Sequence, residues 1–301
     1  MSDTSIEWTD KVWNPTTGCN KVSRGCKHCY AEVMHKRLTG MGTVGYERSF
    51  LYGASPNPTA LPRPFKWKKP RRVFVNSMSD LFHPNIPFDY IDRVFITMAS
   101  CPQHTFQILT KRPERMAEYL NSGRTMHQIW KEHYQCWPLS NVWLGTSVEN
   151  QAVADERIPH LLNCPAAVRF LSCEPLLAEL DLRLFEGAIL EHKVKTLAAT
   201  GKADIGIHWV IAGGESGHKA APLHPDWVRG LRDQCQSAGV PFLFKQWGEW
   251  APVDYLLPSE DRPTDKLIEL VWVWMRKVGK KAAGRLLDGV EHNEFPETKQ
   301  P

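Results

Sequence analysis

The sequence predicts an α/β fold in which parallel strands alternate with helices, as a partial or closed (β/α) barrel. Short apolar, β-branched or aromatic runs recur at intervals of roughly 25 to 40 residues, which is the spacing of βαβ units. Segments with helical periodicity lie between these runs, and a cluster of polar residues follows each run. The runs are almost continuously apolar, which favours a sheet covered on both faces. A doubly wound open sheet is the second choice.

About seven strands are predicted. They lie around Lys11–Trp13, Arg72–Val75, Thr105–Leu109, Val142–Gly145, Val168–Leu171, His208–Ala212 and Pro241–Phe244. Helices are predicted over Asp89–Ala99 and Pro225–Ser237, where apolar residues form one stripe. A third begins at Pro113, because proline is well tolerated in a first helical turn.

The strand pattern predicts a barrel over residues 1–250 and a C-terminal extension over 251–301, since the alternation stops after Trp250. Within the extension, Trp272–Met275 is predicted to form a strand. Gly40–Pro70 is rich in glycine and proline and is interpreted as a long loop. Residues from about Leu182 to Ile207 are interpreted as an insertion.

Composition is that of a globular protein, with 301 residues, 42% hydrophobic and 23% charged residues and a net charge of +4. The apolar runs are too short to cross a membrane, and the start lacks the features of a secretory signal. A cytoplasmic location is therefore expected. In a reducing compartment, clustered cysteines are more often metal ligands or catalysts than disulfides.

Three of the eight cysteines lie close together, as Cys19, Cys26 and Cys29 in a Cys-x6-Cys-x2-Cys pattern. Three thiolates can hold an iron–sulfur cluster while one iron keeps an exchangeable position. Zinc is the alternative, because Cys26 to Cys29 resembles a zinc knuckle that Cys19 or His28 would complete. Unligated core cysteines are the third interpretation.

Polar clusters follow the predicted strands, at the carboxyl ends where α/β enzymes place their active sites. The clusters are Asn76–Asp80, Thr110–Arg112, Thr146–Asn150, Ser172–Glu174, Gly213–Ser216 and Lys245–Gln246. We expect them to share one site.

The stretches Asn14–Cys19 and Gly25–Ala31 resemble the cluster loop of radical S-adenosylmethionine (SAM) enzymes, most closely the branch of spore photoproduct lyase. Ser79–Pro84 resembles the segment after the second strand in that branch. Over about residues 5–295 the chain is similar to a phage and bacterial three-cysteine family that is radical-SAM-like and without an agreed activity.

Two features differ from the radical SAM pattern. The first cysteine gap has six residues where those enzymes usually have three. The Gly213–Glu215 stretch follows about the sixth strand, whereas the Gly-Gly-Glu motif of those enzymes follows the second.

The resemblance implies that Cys19, Cys26 and Cys29 hold a [4Fe–4S] cluster and that SAM binds its open iron. One electron would cleave SAM to methionine and a 5′-deoxyadenosyl radical, which would abstract a hydrogen atom from the substrate. The cofactor would supply the chemistry, and the protein would orient it.

Residues that would bind SAM follow from the same resemblance. Ser77, Ser79 and Asp80 are candidates for its amino group. Lys111 is a candidate for its carboxylate, and Tyr30 for contact with its adenine. The structural alternatives are packing of the loop for Tyr30 and a solvated lysine at a strand end for Lys111.

A second group of candidates lies on the later strand ends. Ser147, Glu149 and Glu174 are expected to bind ribose hydroxyls or substrate, with helix capping or salt bridges as the structural alternative. Gly214 and Glu215 are expected to form a turn that lines the pocket.

Two basic stretches with interleaved aromatic residues, Lys66–Arg72 and Arg276–Arg285, indicate a nucleic-acid or nucleotide substrate. A solvated basic face and a peptide substrate stay open. The resemblance also implies an electron donor, a bacterial or phage-infected host cell, and possible association with a separate partner protein. Two other functions stay open, a zinc-braced nucleic-acid-binding protein without catalysis and a cluster-bearing regulator.

Overall fold

A seven-stranded parallel sheet forms the centre of a mixed α/β fold. The computed structural model describes residues 4–48, 50–124, 127, 137–182, 206–253, 267–270 and 272–297. The strands of the sheet are β1 (Lys11–Trp13), β4 (Arg72–Val75), β5 (Thr105–Thr110), β6 (Val142–Ser147), β7 (Val168–Cys173), β8 (Trp209–Gly213) and β9 (Phe242–Gln246).

Strand order along this sheet is β1-β4-β5-β6-β7-β8-β9. Neighbouring strands therefore follow one another along the chain without reversal, whereas a doubly wound sheet reverses at its switch point. The order is that of a partial (β/α) barrel, so the predicted class is confirmed at this level. In the described residues β1 and β9 are the two edge strands, and the sheet is not closed.

Six helices are described. They are α1 (Tyr30–Gly40), α2 (Phe88–Ala99), α3 (Pro113–Asn121), α4 (Gln151–Leu162), α5 (Pro225–Ser237) and α6 (Lys280–Ala283). The predicted helices at 89–99 and 225–237 are confirmed, as is the start at Pro113. Ile91, Val94 and Phe95 of α2 are buried, as the apolar stripe predicts.

The remaining strands form two small antiparallel sheets. β2 (Thr16–Thr17) pairs with β3 (Ser55–Pro56), which lies inside the long predicted loop. β10 (Trp250–Val253), β11 (Leu267–Leu270) and β12 (Val273–Lys277) form a sheet of order β10-β12-β11. The predicted strand near Trp272–Met275 is thus confirmed. Residues 183–205, most of the predicted insertion, lie outside the described residues.

The chain divides into two compact units. The first comprises residues 1–147, 156–171 and 298–301, and its core contains Trp13, Phe106 and Phe170. The second comprises residues 148–155 and 172–297, and its core contains Trp209 and Phe242. The boundary predicted at residue 250 stays a prediction. In the described part of the chain, no helix has the length and apolar character needed to cross a membrane.

Asp288, in the C-terminal segment of the second unit, forms ion pairs with two arginines of α5. Its carboxylate accepts hydrogen bonds from Arg229 Nε and Nη2 at 3.0 and 2.6 Å and from Arg232 Nη1 at 2.7 Å. These guanidinium groups lower the pKa of Asp288 to about 2. A carboxyl whose pKa is lower in the folded chain stabilises the fold at neutral pH and loses this effect as it becomes protonated.

Replacing Asp288 with asparagine is expected to lower the free energy of unfolding at neutral pH by roughly 0.5–1 kcal/mol, because the pair is partly exposed. The loss should shrink as the pH falls below the ordinary aspartate pKa of 3.8 towards about 2, where the native carboxyl is protonated. Urea unfolding at neutral pH and at about pH 3 measures the difference. Asp155→Asn is the control, since Asp155 is an exposed carboxylate on α4 that accepts a hydrogen bond from the uncharged Gln151 side chain at 2.8 Å. A loss independent of pH would contradict this account.

Candidate functional site

Asp80 anchors the loop after β4 to the loop after β5. Its side chain is buried, and Oδ1 accepts hydrogen bonds from the Thr110 hydroxyl at 2.7 Å and the Phe82 N–H at 3.0 Å. Oδ2 accepts from the Lys111 N–H at 3.1 Å and from Arg112 Nη1 at 2.8 Å. Both carboxylate oxygens are thus engaged by protein donors, which is the arrangement a buried charge requires.

Arg112 connects this carboxylate to the cysteine loop. Its Nη1 also donates to Cys19 Sγ at 3.7 Å, and its Nη2 donates to the carbonyl and side-chain oxygens of Asn20. The Arg112 side chain is only 11% exposed. A planar guanidinium can hold several acceptors at fixed angles, so the position of Cys19 is set from the end of β5.

His83 holds the same loop from the β4 side. Its Nε2 donates to Asn20 Oδ1 at 2.9 Å, and its Nδ1 accepts from the Asn85 N–H at 3.1 Å. Burial and the nearby Arg112 lower the pKa of His83 to about 4. The neutral ring with one donor and one acceptor is therefore the form that satisfies both contacts.

The cysteine loop also has internal contacts and a contact with α1. Lys21 Nζ lies 3.1 Å from Glu32 of α1 and donates to the Lys27 carbonyl at 3.2 Å. Cys26 ends a short 3-10 helix, and Cys29 directly precedes α1, where the helix dipole favours negative charge. The six residues between the first two cysteines are therefore held at several points.

Cys19, Cys26 and Cys29 are free thiols. Cys19 and Cys29 pack against one hydrophobic cluster that contains Phe50 and Met78. Burial, followed by Asp80, raises the pKa of Cys19 to about 11, while Arg112 opposes this shift. Cys26 is near enough to contribute to the same rise.

The donor set fits a thiolate-ligated metal centre by chemistry, since three free thiols share one loop and a guanidinium faces one sulfur. In the described residues, no three or more Cys, His, Asp or Glu side chains are grouped so that they would hold a metal ion. The three thiols are thus neighbours that have not converged on one point.

Ser79 joins the cysteine loop to the end of β4. Its hydroxyl donates to the Thr16 carbonyl at 2.8 Å, and Gly18 forms an isolated parallel bridge with Ser79. Gly18 has a φ of +78°, and a Cβ there would lie 2.5 Å from the Gly53 carbonyl oxygen. Ser77 donates to Asn14 Oδ1 at 3.4 Å.

In the first unit, Lys111 and Tyr30 are candidate SAM-binding residues whose side chains a ligand could contact. The Lys111 ammonium has no hydrogen-bond or ion-pair partner in the part of the chain that the structure describes. Tyr30 follows Cys29 and is 63% exposed. Ser147 ends β6 and is buried, with its carbonyl accepting from Arg157 Nη1 at 2.8 Å.

In the second unit, Glu174 lies in a polar cluster at the ends of β7, β8 and β9. Lys245 Nζ donates to both of its carboxylate oxygens, at 2.8 and 2.9 Å, and Gln246 Nε2 donates to one at 3.1 Å. Gln246 also donates to the Ser216 hydroxyl at 2.9 Å. Glu149, another candidate, is buried, and its carbonyl accepts from the Leu177 N–H at 2.8 Å.

Gly214 and Glu215 lie against the chain at the end of β9, where the Gly214 N–H donates to the Gln246 carbonyl at 2.9 Å and the Glu215 carbonyl accepts from the Glu249 N–H at 3.2 Å. A Cβ on Gly214 would lie 1.9 Å from the Trp247 carbonyl oxygen. Glu215 is buried, and its Oε2 accepts from the Ala221 N–H at 2.7 Å. The turn expected at Gly214 and Glu215 stays a prediction, because the turn that the structure assigns here lies at residues 218–219.

The structure thus gathers Cys19, Ser79, Asp80 and Lys111 in the first unit, and Glu174 with Gly214 in the second. Sequence reasoning assigned no role to the residues that make these connections. They are Asn20, His83, Arg112, Lys245 and Gln246. Three of them belong to the polar clusters at the strand ends, and this position was the sequence signal that could have identified them.

Comparison with known proteins places the chain in a family. The family described as "Protein of unknown function (DUF5131)" matches residues 3–296. The chain belongs to this family. No curated protein and no solved structure matches the chain. The DUF5131 match spans both compact units, so the cysteine loop and the Glu174 cluster are both parts of one family sequence.

Replacing Gly214 with alanine is expected to destabilise the chain by roughly 3 kcal/mol or more, because the new methyl group would meet backbone that cannot move aside. The midpoint of thermal unfolding measures this loss. Gly230→Ala in α5 is the matched control, since a Cβ there meets nothing within 4 Å. The control should stabilise by up to about 1 kcal/mol through helix propensity. Equal stability of the two variants would refute the close approach at Gly214.

Proposed function

We propose that the chain is a radical SAM enzyme in which Cys19, Cys26 and Cys29 hold a [4Fe–4S] cluster, with a nucleic acid or nucleotide as substrate. The resemblance of the cysteine loop to that superfamily is one support. The other is a loop with three free thiols, of which Cys19 contacts Arg112 at the carboxyl end of β5, the end of the strands where such folds carry out chemistry.

The observation that carries the proposal is the contact between Arg112 and Cys19. The guanidinium is held by the buried Asp80 carboxylate and faces the Cys19 sulfur at 3.7 Å. Arg112 lowers the pKa of this thiol, against the rise that burial and Asp80 cause. If the sulfur became a cluster ligand, the same guanidinium would offset the negative charge on the thiolate.

When bound, the cluster would supply the electron that cleaves SAM to methionine and a 5′-deoxyadenosyl radical. The chain's own residues would hold the reactants. Arg112 and Asn20 would fix the first ligand, and the unpaired Lys111 ammonium would attract the SAM carboxylate. Asp80 has all its oxygens engaged, so we assign it to positioning Arg112 in preference to contact with SAM.

The test is anaerobic reconstitution with iron and sulfide, followed by SAM and a strong reductant, with 5′-deoxyadenosine as the readout. Formation of this product that is lost in Cys19→Ala, Cys26→Ala and Cys29→Ala is expected. Cys164→Ala is the control, because Cys164 is a buried thiol outside the loop.

Other outcomes of this experiment would replace the proposal. Bound zinc, with no cluster and no affinity for SAM, would establish the zinc-braced interpretation. A stable cluster that never cleaves SAM, even with cell extract added as a source of electron donor and partner protein, would establish a regulator.

Arg112→Lys is expected to lower the rate of SAM cleavage and the retained iron roughly tenfold, as removal of a side chain that orients a ligand does in metal sites. Lysine keeps the charge beside Asp80 but cannot reach Asp80, Cys19 and Asn20 together. Arg169→Lys is the control, since Arg169 is a buried guanidinium of β7 that donates to the Cys164 carbonyl at 3.1 and 2.7 Å, outside the cysteine loop. Equal losses in both variants would indicate general destabilisation instead.

A further inference from the structure

The sheet formed by β10, β12 and β11 has two unlike faces. In antiparallel strands, directly paired residues point to the same face. Met275 pairs with Pro252 and Ile268, is fully buried, and packs with Trp250 and Ala220. This face belongs to the core of the second unit.

The opposite face carries Trp274 and Arg276. Trp274 pairs with Val253 of β10 and Glu269 of β11, and Arg276 pairs with Ala251 of β10 and Leu267 of β11. Trp274 is 41% exposed, and Trp272, which precedes the strand, is 77% exposed. Two indole rings therefore lie accessible on one short segment, which the packing of this unit does not explain.

The charged side chains from Trp272 to Leu287 are all basic, whereas Glu269 of β11 places one carboxylate on the same face, beside Trp274. Five lysines and arginines and no acidic residue occur from Trp272 to Leu287. Lys277 is engaged by the His218 carbonyl, and Arg285 by Asn293. The other three are Arg276, Lys280 and Lys281, and their charged groups have no ion-pair partner among the residues that the structure describes.

In the other basic stretch, Lys66–Arg72, the aromatic ring is packed against the fold. Trp67 lies edge-on against His104 with 5.7 Å between ring centroids, so its ring is part of the packing. Arg72 is bonded to Asp10 at 3.3 Å. Phe65 alone is left there as an exposed large ring. The two stretches that look alike in sequence are thus unequal as surfaces.

We infer that the outer face of the β10–β12–β11 sheet binds single-stranded nucleic acid, with Trp272 and Trp274 stacking on bases and Arg276, Lys280 and Lys281 pairing with phosphates. Exposed aromatic rings beside unpaired cations are the elements of single-strand recognition. A duplex keeps its bases stacked inside and offers these rings no partner. Single-stranded nucleic acid would be the substrate class of the proposed enzyme. Binding does not depend on the proposed function, whereas catalysis on the bound strand does.

Binding is measured by fluorescence anisotropy of a labelled oligothymidylate, without SAM or reductant, on the full chain. Trp272→Ala with Trp274→Ala is expected to weaken binding at least tenfold, because each stacked base contributes roughly 1–3 kcal/mol. Lys280→Glu with Lys281→Glu should weaken binding and lower the salt slope by about 1.4, because each phosphate that a lysine neutralises adds roughly 0.7 to that slope. Circular dichroism confirms that the variants fold.

Lys68→Glu with Lys69→Glu is the matched control, because it changes the net charge equally on the other stretch. Its dissociation constant should stay within twofold of the native value. Equal weakening by both charge pairs, or full competition by polyglutamate, would overturn the inference in favour of general attraction to polyanions. Unchanged binding in the tryptophan variant would overturn the stacking role. Because no cofactor is present, these failures would leave the SAM proposal untouched.

Discussion

The buried ion pair between Asp80 and Arg112 is the interaction on which the cysteine site depends. Burying two charges costs several kcal/mol unless their remaining hydrogen-bonding groups are also satisfied. Here the carboxylate has four donors, and the guanidinium has acceptors on the cysteine loop. The pair therefore has one low-energy geometry, and Cys19 and Asn20 lie at its outer end. A loop with little regular structure of its own is thus held by residues at the ends of β4 and β5.

Sequence periodicity was enough to predict the seven strands of the sheet and three of the six described helices. Strands such as β4 and β5 are short apolar runs with polar ends, and α5 has a clear apolar stripe, so local pattern and tertiary burial agree. The connections of the site were not predictable in the same way. Asp80 and Arg112 are 32 residues apart and stand in clusters of several polar groups. Which side chain turns towards the neighbouring strand end depends on packing that no local pattern records.

The two basic stretches also show that side-chain exposure could not be predicted from local sequence. Composition gave Trp67 and Trp274 the same interpretation, since each is an aromatic residue among lysines and arginines. Their difference comes from the partners that the fold brings to them. His104 packs against Trp67, whereas strand register places Trp274 on the outer face of its sheet. Exposure is a property of the assembled chain, and it decides whether an aromatic ring is available to a ligand.

The high pKa of Cys19 also couples assembly of a metal centre to proton release. A thiol with a pKa of about 11 keeps its proton at neutral pH, and that proton must leave when the sulfur becomes a ligand. Loading is therefore an acid-producing step, and its equilibrium shifts towards the metal-bound form as the medium becomes more alkaline. If the proposed cluster binds here, an alkaline medium would favour its assembly on Cys19, and a fall in pH would favour its loss.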